Sequence, residues 1–396
     1  MSSPTISTGG VPTTAAFDYH DEEFQADPWR VYRALLAGGP VHFSTAVNCY
    51  LVVGAEAVRE GLSQEDVVAD FPLRTSRRTF GRNLLDVDGA AHRAFRGYIA
   101  PLLSARYVRS YTFSAIRPLV HEVVEELPSG VSTPVVPRLA ALIPYRLMCR
   151  LLGLPPNDAD WLYQQMRPIA RTLDYPPDTS SEVNRAKRTV EGYFEDILAR
   201  GAIPDDTMTA RILHAMRDGP ERFAEAEVLA TLLLVLLAGT ETSIAAITNV
   251  VHALAVHDDA FDRCRTPEGA VAVIREALRL RPPVHSVLRF AGRDLELAGV
   301  AVRRRQPILF SLAAANRDPS VFPDPDTFDP DRQQRGAVTF ATGPHACPGM
   351  NFAEAELAEI CLSLAGRFTS VTVDPGTDRD RGHSFRHPGD LSLVFT

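Results

Sequence analysis

The sequence predicts one large, mainly α-helical domain with a small β portion. Three observations carry that expectation. From about residue 90 to 280 one helical pattern follows another, broken by proline-containing segments near 135, 155, 176 and 204. Strand-like runs are confined to residues 41–55 and to the stretch after 294. After residue 20 there is no internal repeat and no linker long enough to divide the chain.

The elements follow in order. The first 16 residues, MSSPTISTGGVPTTAA, lack the basic and apolar regions of a signal peptide, and their Ser, Thr, Gly and Pro content reads as a disordered leader. The domain is expected over 17–396. DPWRVYRALLAGG at 27–39 is an amphipathic helix closed by glycines. VHFSTAVNCYLVVGA at 41–55 holds two short apolar runs that suggest a hairpin. The most apolar segment, 228–251, is long enough to span a membrane. Glu241 and several threonines interrupt it, and nothing else in the chain resembles a span, so a buried core helix is expected. Strand-like runs return at LELAGVAVRRRQPILFSL (295–312), SVTVDP (370–375) and LSLVFT (391–396).

Composition narrows the function. The net charge of −8 argues against a general nucleic-acid binder, which needs a basic surface to displace counterions. The five cysteines, 49, 149, 264, 347 and 361, form no CxxC pair, which removes support for a zinc ribbon or a thioredoxin-type site. A reduced, cytoplasmic protein is the simplest reading.

Three constellations carry chemistry. FATGPHACPG (340–349) places Cys347 between His345 and Pro348, fenced by Gly343 and Gly349. The helical pattern that follows puts Cys347 at a helix N-terminus, where unpaired amides favour an anion and the thiol should ionise readily. A nucleophile based by His345 would be poorly angled, and a zinc site lacks a second ligand pair. A single axial thiolate for haem iron needs only one such cysteine. A cysteine without function in a tight turn remains open. In REALRLRPP (275–283), Glu276 and Arg279 share a helical face and can pair, which many solvated helices also allow. In LLAGTETS (236–243), Glu241 and Thr242 break an apolar helix. A buried carboxylate is costly unless paired, protonated or wetted, so the pair is either a proton source beside a ligand or a structural network. Adjacent helical residues point about 100° apart, so a local distortion eased by Gly239 is expected.

Together these residues resemble the cytochrome P450 family. Phe340, Gly343, His345, Cys347 and Gly349 match its F-x-x-G-x-H-x-C-x-G loop, Glu276 and Arg279 its E-x-x-R pair, and AGTET at 238–242 its oxygen-activating helix. AANRDPSVFPDPDTFDPDR (314–332) resembles the segment before the cysteine loop in soluble bacterial members. The resemblance covers nearly everything after residue 20. It implies the P450 fold, a single domain with haem buried between the central helix and the cysteine loop. It also implies haem b (iron protoporphyrin IX) bound through Cys347, with Thr242 and Glu241 delivering protons to dioxygen. His92, Arg96, Arg289 and His345 match the positions that hold the haem propionates. Glu276 and Arg279 become a buried pair that holds the fold. DVDGAAHR (86–93) departs from the acidic residue and prolines often found before the His-x-x-x-Arg pair, and Glu241 replaces the commoner aspartate.

The implied activity is monooxygenation of a small organic substrate in bacterial secondary metabolism. Alternatives are oxidative coupling or desaturation by the same chemistry, or a non-catalytic helper of a partner enzyme. No GxGxxG fingerprint appears, and the haem domain uses the whole chain. Electrons are therefore expected from a ferredoxin and its reductase; Arg93, Arg106, Arg109 and Arg335 either steer such an acidic partner or are scattered solvated arginines. A monomer without nucleic-acid or membrane partners is expected. Arg74, Arg77, Arg78 and Arg82 stand where a substrate would enter and suit an anionic group or carrier, or else form a solvated loop. His285 lies in a stretch expected to face the haem, where it would orient a substrate group.

Overall fold

The structure is a computed structural model that describes residues 11–72, 74–173, 180–201, 203–218 and 224–396. The chain passes repeatedly between two compact units, one of residues up to Ala69, Val284–Thr327 and Arg335–Ala346, the other of Asp70–Pro283, Phe328–Gln334 and Cys347–Thr396. The two units are interleaved in sequence. That is why no linker could be seen.

The first unit is built on a six-stranded sheet. Its strands run in the spatial order Thr13–Thr14, Val41–Ser44, Cys49–Val52, Pro307–Ser311, Ser286–Ala291 and Val67–Val68. The expected hairpin is present, in antiparallel register from Val41↔Val52 to Ser44↔Cys49. Pro307–Ser311 then joins parallel to Cys49–Val52. Residues 1–10 of the expected leader lie outside the described residues, and its end is not a leader, because Thr13 and Thr14 pair with Phe43 and Ser44. The helix Pro28–Gly38 begins as the sequence suggests: the Asp27 carboxylate accepts from the amides of Trp29 (3.1 Å) and Arg30 (3.3 Å). Val41, Phe43, Tyr50, Val52, Val58, Leu62, Ile308 and Phe310 form the core of this unit. Burial of each large apolar side chain is worth roughly 1.5–3 kcal/mol.

The second unit is helical. Its principal helices are Gly89–Ile99, Arg117–Glu125, Leu142–Leu152, Ala159–Ala170, Ser181–Arg200, Glu225–Val256, Pro267–Leu280 and Met350–Arg367. A small sheet pairs Val371–Val373, Ser392–Phe395 and Ser132–Pro134. Glu225–Val256 is the central element, packed against Leu142–Leu152, Pro267–Leu280 and Met350–Arg367. By length and composition it would cross a membrane, yet 67% of its most apolar window lies inside the fold. The expected break near 155 follows Gly153, which ends Leu142–Leu152 in the left-handed conformation. The one near 176 lies outside the described residues.

Glu276 and Arg279 settle as the fold-holding pair. Both are fully buried, with Arg279 Nε donating to Glu276 Oε2 at 2.7 Å and Nη2 to Oε1 at 2.8 Å. The Asp329 amide (2.9 Å), Gln334 Nε2 (2.8 Å) and Arg332 Nε (3.3 Å) complete the shell. Burial pushes the Glu276 carboxyl up, but the Arg279 fork and the other donors outweigh it and hold it below its ordinary value. The pair, one turn apart on the helix Pro267–Leu280, thereby anchors the loop 329–334.

Candidate active site

Cys347 lies three residues before the helix Met350–Arg367, as the loop pattern suggests. The amides of Gly349 and Met350 point at its sulfur, and Arg96 adds positive charge. The thiol does not ionise readily, however. Burial pushes it up from its ordinary value, and the two amides and Arg96 pull back only in part. The field of a helix end fades within a turn, so surrounding protein prevails. The residue nevertheless keeps a solvent-reaching side and is the one exposed cysteine; Cys49, Cys149, Cys264 and Cys361 are buried.

Gly343 is required where it stands. Its φ is +74°, and a Cβ there would sit 2.1 Å from the Leu62 carbonyl oxygen. In the same unit Arg289 is buried on the strand Ser286–Ala291, and its Nη1 donates to the Leu288 carbonyl at 2.8 Å. His345 is half-buried in the loop. In the helical unit, His92 is buried and Arg96 half-buried on Gly89–Ile99, four residues apart and on one face.

The central helix carries the other half of the pattern. Its turns on either side are buried, yet Ala238 is exposed and Val235, Gly239 and Thr242 are half-buried. Val235, Ala238 and Thr242 recur at helical spacing and share one accessible face of the helix. The helix is continuous from Glu225 to Val256, without the break that a strong distortion would leave. Gly239 serves packing instead: a Cβ would lie 2.6 Å from Met148 Sδ. The Thr242 hydroxyl donates to the Ala238 carbonyl at 2.7 Å. Glu241 turns to the neighbouring helix, where the Tyr145 hydroxyl donates to its Oε1 at 3.0 Å. Burial pushes the Glu241 carboxyl up to about 7, against the Tyr145 hydrogen bond and Arg167.

Two groups escaped the sequence reading. Tyr145 sits among apolar residues with no local motif. Glu356 falls on the buried face of Met350–Arg367 with Phe352 and Ile360, a periodic position where an acid is costly. It bonds Ser243, its Oε1 has no partner, and burial pushes it up to about 8.

Other expectations fare differently. His285 is buried in the first unit and bonds the Tyr32 hydroxyl at 3.3 Å, beside Trp29. Three of the four entrance arginines are engaged within the protein: Arg74 with Asp86 (3.2 Å), Arg77 with Asp70, and Arg82 with Glu227 (2.5 Å). Arg78 is exposed.

The residues fit a haem. Among the described residues no group of three or more His, Cys, Asp or Glu side chains could hold a bare metal ion. One accessible cysteine under two amides suits iron whose other ligands come from a macrocycle. The face of the central helix around Val235 and Ala238 suits a flat apolar body, and a buried guanidinium such as that of Arg289 suits a carboxylate.

The family model for cytochrome P450 matches residues 270–387. The chain is 30% identical to pentalenic acid synthase of Streptomyces avermitilis, over 85% of each chain. It is 28% identical to 6-deoxyerythronolide B hydroxylase of Saccharopolyspora erythraea, over 93% of this chain and 94% of that one. The crystal structure of CalO2 matches with a TM-score of 0.87 and 27% identity, over 97% of this chain and 99% of that one. With the cysteine loop, the buried E-x-x-R pair and the open central helix in place, the chain belongs to the cytochrome P450 family and is a haem-dependent monooxygenase that takes an organic substrate, dioxygen and electrons from redox partners.

Proposed function

We propose that Cys347 is the iron ligand, that His92, Arg96, Arg289 and His345 hold the haem propionates, and that residues 17–396 form the haem domain. The bound haem supplies the iron at which dioxygen is reduced and split, one atom entering the substrate and the other leaving as water. Glu241 takes up and passes on protons, and Thr242 holds a hydroxyl on the open face of the central helix. A carboxyl that titrates near neutral pH is matched to that task.

The observation that carries this reading is the single exposed cysteine under the amides of Gly349 and Met350. The apolar face formed by Val235 and Ala238 supports an apolar organic substrate of secondary metabolism, in keeping with the two curated relatives. A ferredoxin is the proposed electron donor. Arg93, Arg106 and Arg109 are exposed with no ion-pair partner among the described residues, and would meet an acidic protein in the cytoplasm.

The test is the carbon monoxide difference spectrum of the reduced protein. A strongly red-shifted Soret band that disappears in Cys347→Ala is expected. A band without that shift in the parent protein would overturn the ligand assignment.

A further inference from the structure

Tyr145 is 1% exposed on the helix Leu142–Leu152, and its ring stands edge-on to Tyr163 with centroids 5.4 Å apart. Arg167 lies over the Tyr163 ring at 5.7 Å. Glu241 is therefore faced by Tyr145 from one helix and by Tyr163 and Arg167 from Ala159–Ala170. The neighbouring Thr240 hydroxyl donates to the Leu236 carbonyl at 2.8 Å and leaves the Tyr145 proton to Glu241. The phenol is thus held by burial in the helix pair and aimed at the carboxyl.

We propose that Tyr145 is a positioning residue for proton delivery: its hydroxyl pins Oε1 of Glu241 and leaves Oε2 to take up and hand on a proton. The inference rests on the proton-delivery role of Glu241. Physically, a neutral donor fixed in a buried helix pair removes rotamer freedom from the carboxylate without adding charge. It also favours the ionised form, and so limits how far burial raises the carboxyl's proton affinity.

The test is infrared difference spectroscopy of the holoenzyme between about pH 5 and 9, where a carboxyl near neutrality titrates. The protonated carboxyl band is assigned by its loss in Glu241→Gln. In Tyr145→Phe the band should persist to higher pH, by about one pH unit, the scale of a lost hydrogen bond to a charged acceptor. The share of electrons reaching product should fall in favour of peroxide, with the carbon monoxide spectrum unchanged. Fluorotyrosine incorporated into the parent protein, a stronger donor, should move the band the other way and gives a readout that needs no substitution. Unchanged titration in both experiments would overturn the inference. If Glu241→Gln turns over like the parent, the proton-delivery reading itself fails. If Glu241→Gln is impaired while the band ignores Tyr145, only the positioning role fails.

Discussion

Glu276 and Arg279 face each other as a two-pronged ion pair, both side chains fully buried one helical turn apart, with Nε–Oε2 at 2.7 Å and Nη2–Oε1 at 2.8 Å. Removing Glu276 takes the fork's carboxylate from a fully buried guanidinium, and removing Arg279 leaves the buried carboxylate with only the more distant Arg332 as cation. Arg279→Ala or Glu276→Ala should cost about 3–5 kcal/mol, and Arg279→Lys should fail to rescue because an ammonium cannot reproduce the fork. Loss of haem-loaded protein on purification and a lowered melting temperature would show it. A variant melting like the parent protein would contradict the pair's role.

Gly239 is set by its contact with Met148. Gly239→Ala places a methyl 2.6 Å from Met148 Sδ and should cost about 1–3 kcal/mol, less what alanine gains in helix propensity. In a Met148→Ala background the penalty should vanish. A double-mutant cycle in denaturant measures that coupling.

Glu356 makes stability depend on pH. Its carboxyl is raised from 4.5 to about 8, so the folded protein binds more protons than the unfolded chain across that interval. The group's contribution is fully present below about pH 4.5 and is lost as pH rises through about 8, at up to about 1.4 kcal/mol per pH unit. Glu356→Gln should flatten that part of the stability curve. Denaturant midpoints at several pH values, compared between parent and variant, decide it, and parallel curves would count against a neutral buried acid.

Thr242→Val keeps the volume and removes the hydroxyl. Turnover to product should fall at least about 10-fold, with peroxide formed in its place, the scale of a lost proton-transfer group. Thr242→Ser should retain most of the activity. Oxygen uptake measured against peroxide and product distinguishes the outcomes, and undiminished product would exclude a role for the hydroxyl.

Much of the fold was legible because its signals are local. The Val41–Val52 hairpin, the capped helix at Pro28 and the strand at Pro307 each follow from a short window of pattern and turn residues. The strand Ser286–Ala291 was missed as an element. Its order depends on pairing with Pro307–Ser311 and Val67–Val68, partners remote in sequence. Thr13 and Thr14 were read as leader for the same reason: polar composition says disorder, and only the edge of Val41–Ser44 makes them a strand.

The site divides likewise. The sequence by itself determined the cysteine loop, the E-x-x-R pair and the threonine of the central helix, because each is a set of residue types at a spacing that backbone geometry converts into a shared face or turn. Tertiary structure alone decided which neighbours those groups meet. Tyr145 reaches Glu241 across 96 residues of chain, Met148 dictates a glycine at 239, Ser243 meets Glu356, and Asp86, Asp70 and Glu227 pair with three of the arginines expected to suit an anionic substrate. Tertiary packing also turned the thiol's balance, since local amides favour a thiolate while the bulk of protein around Cys347 disfavours it. Short-range order is fixed by propensity and period, whereas burial and partner choice depend on how distant elements pack.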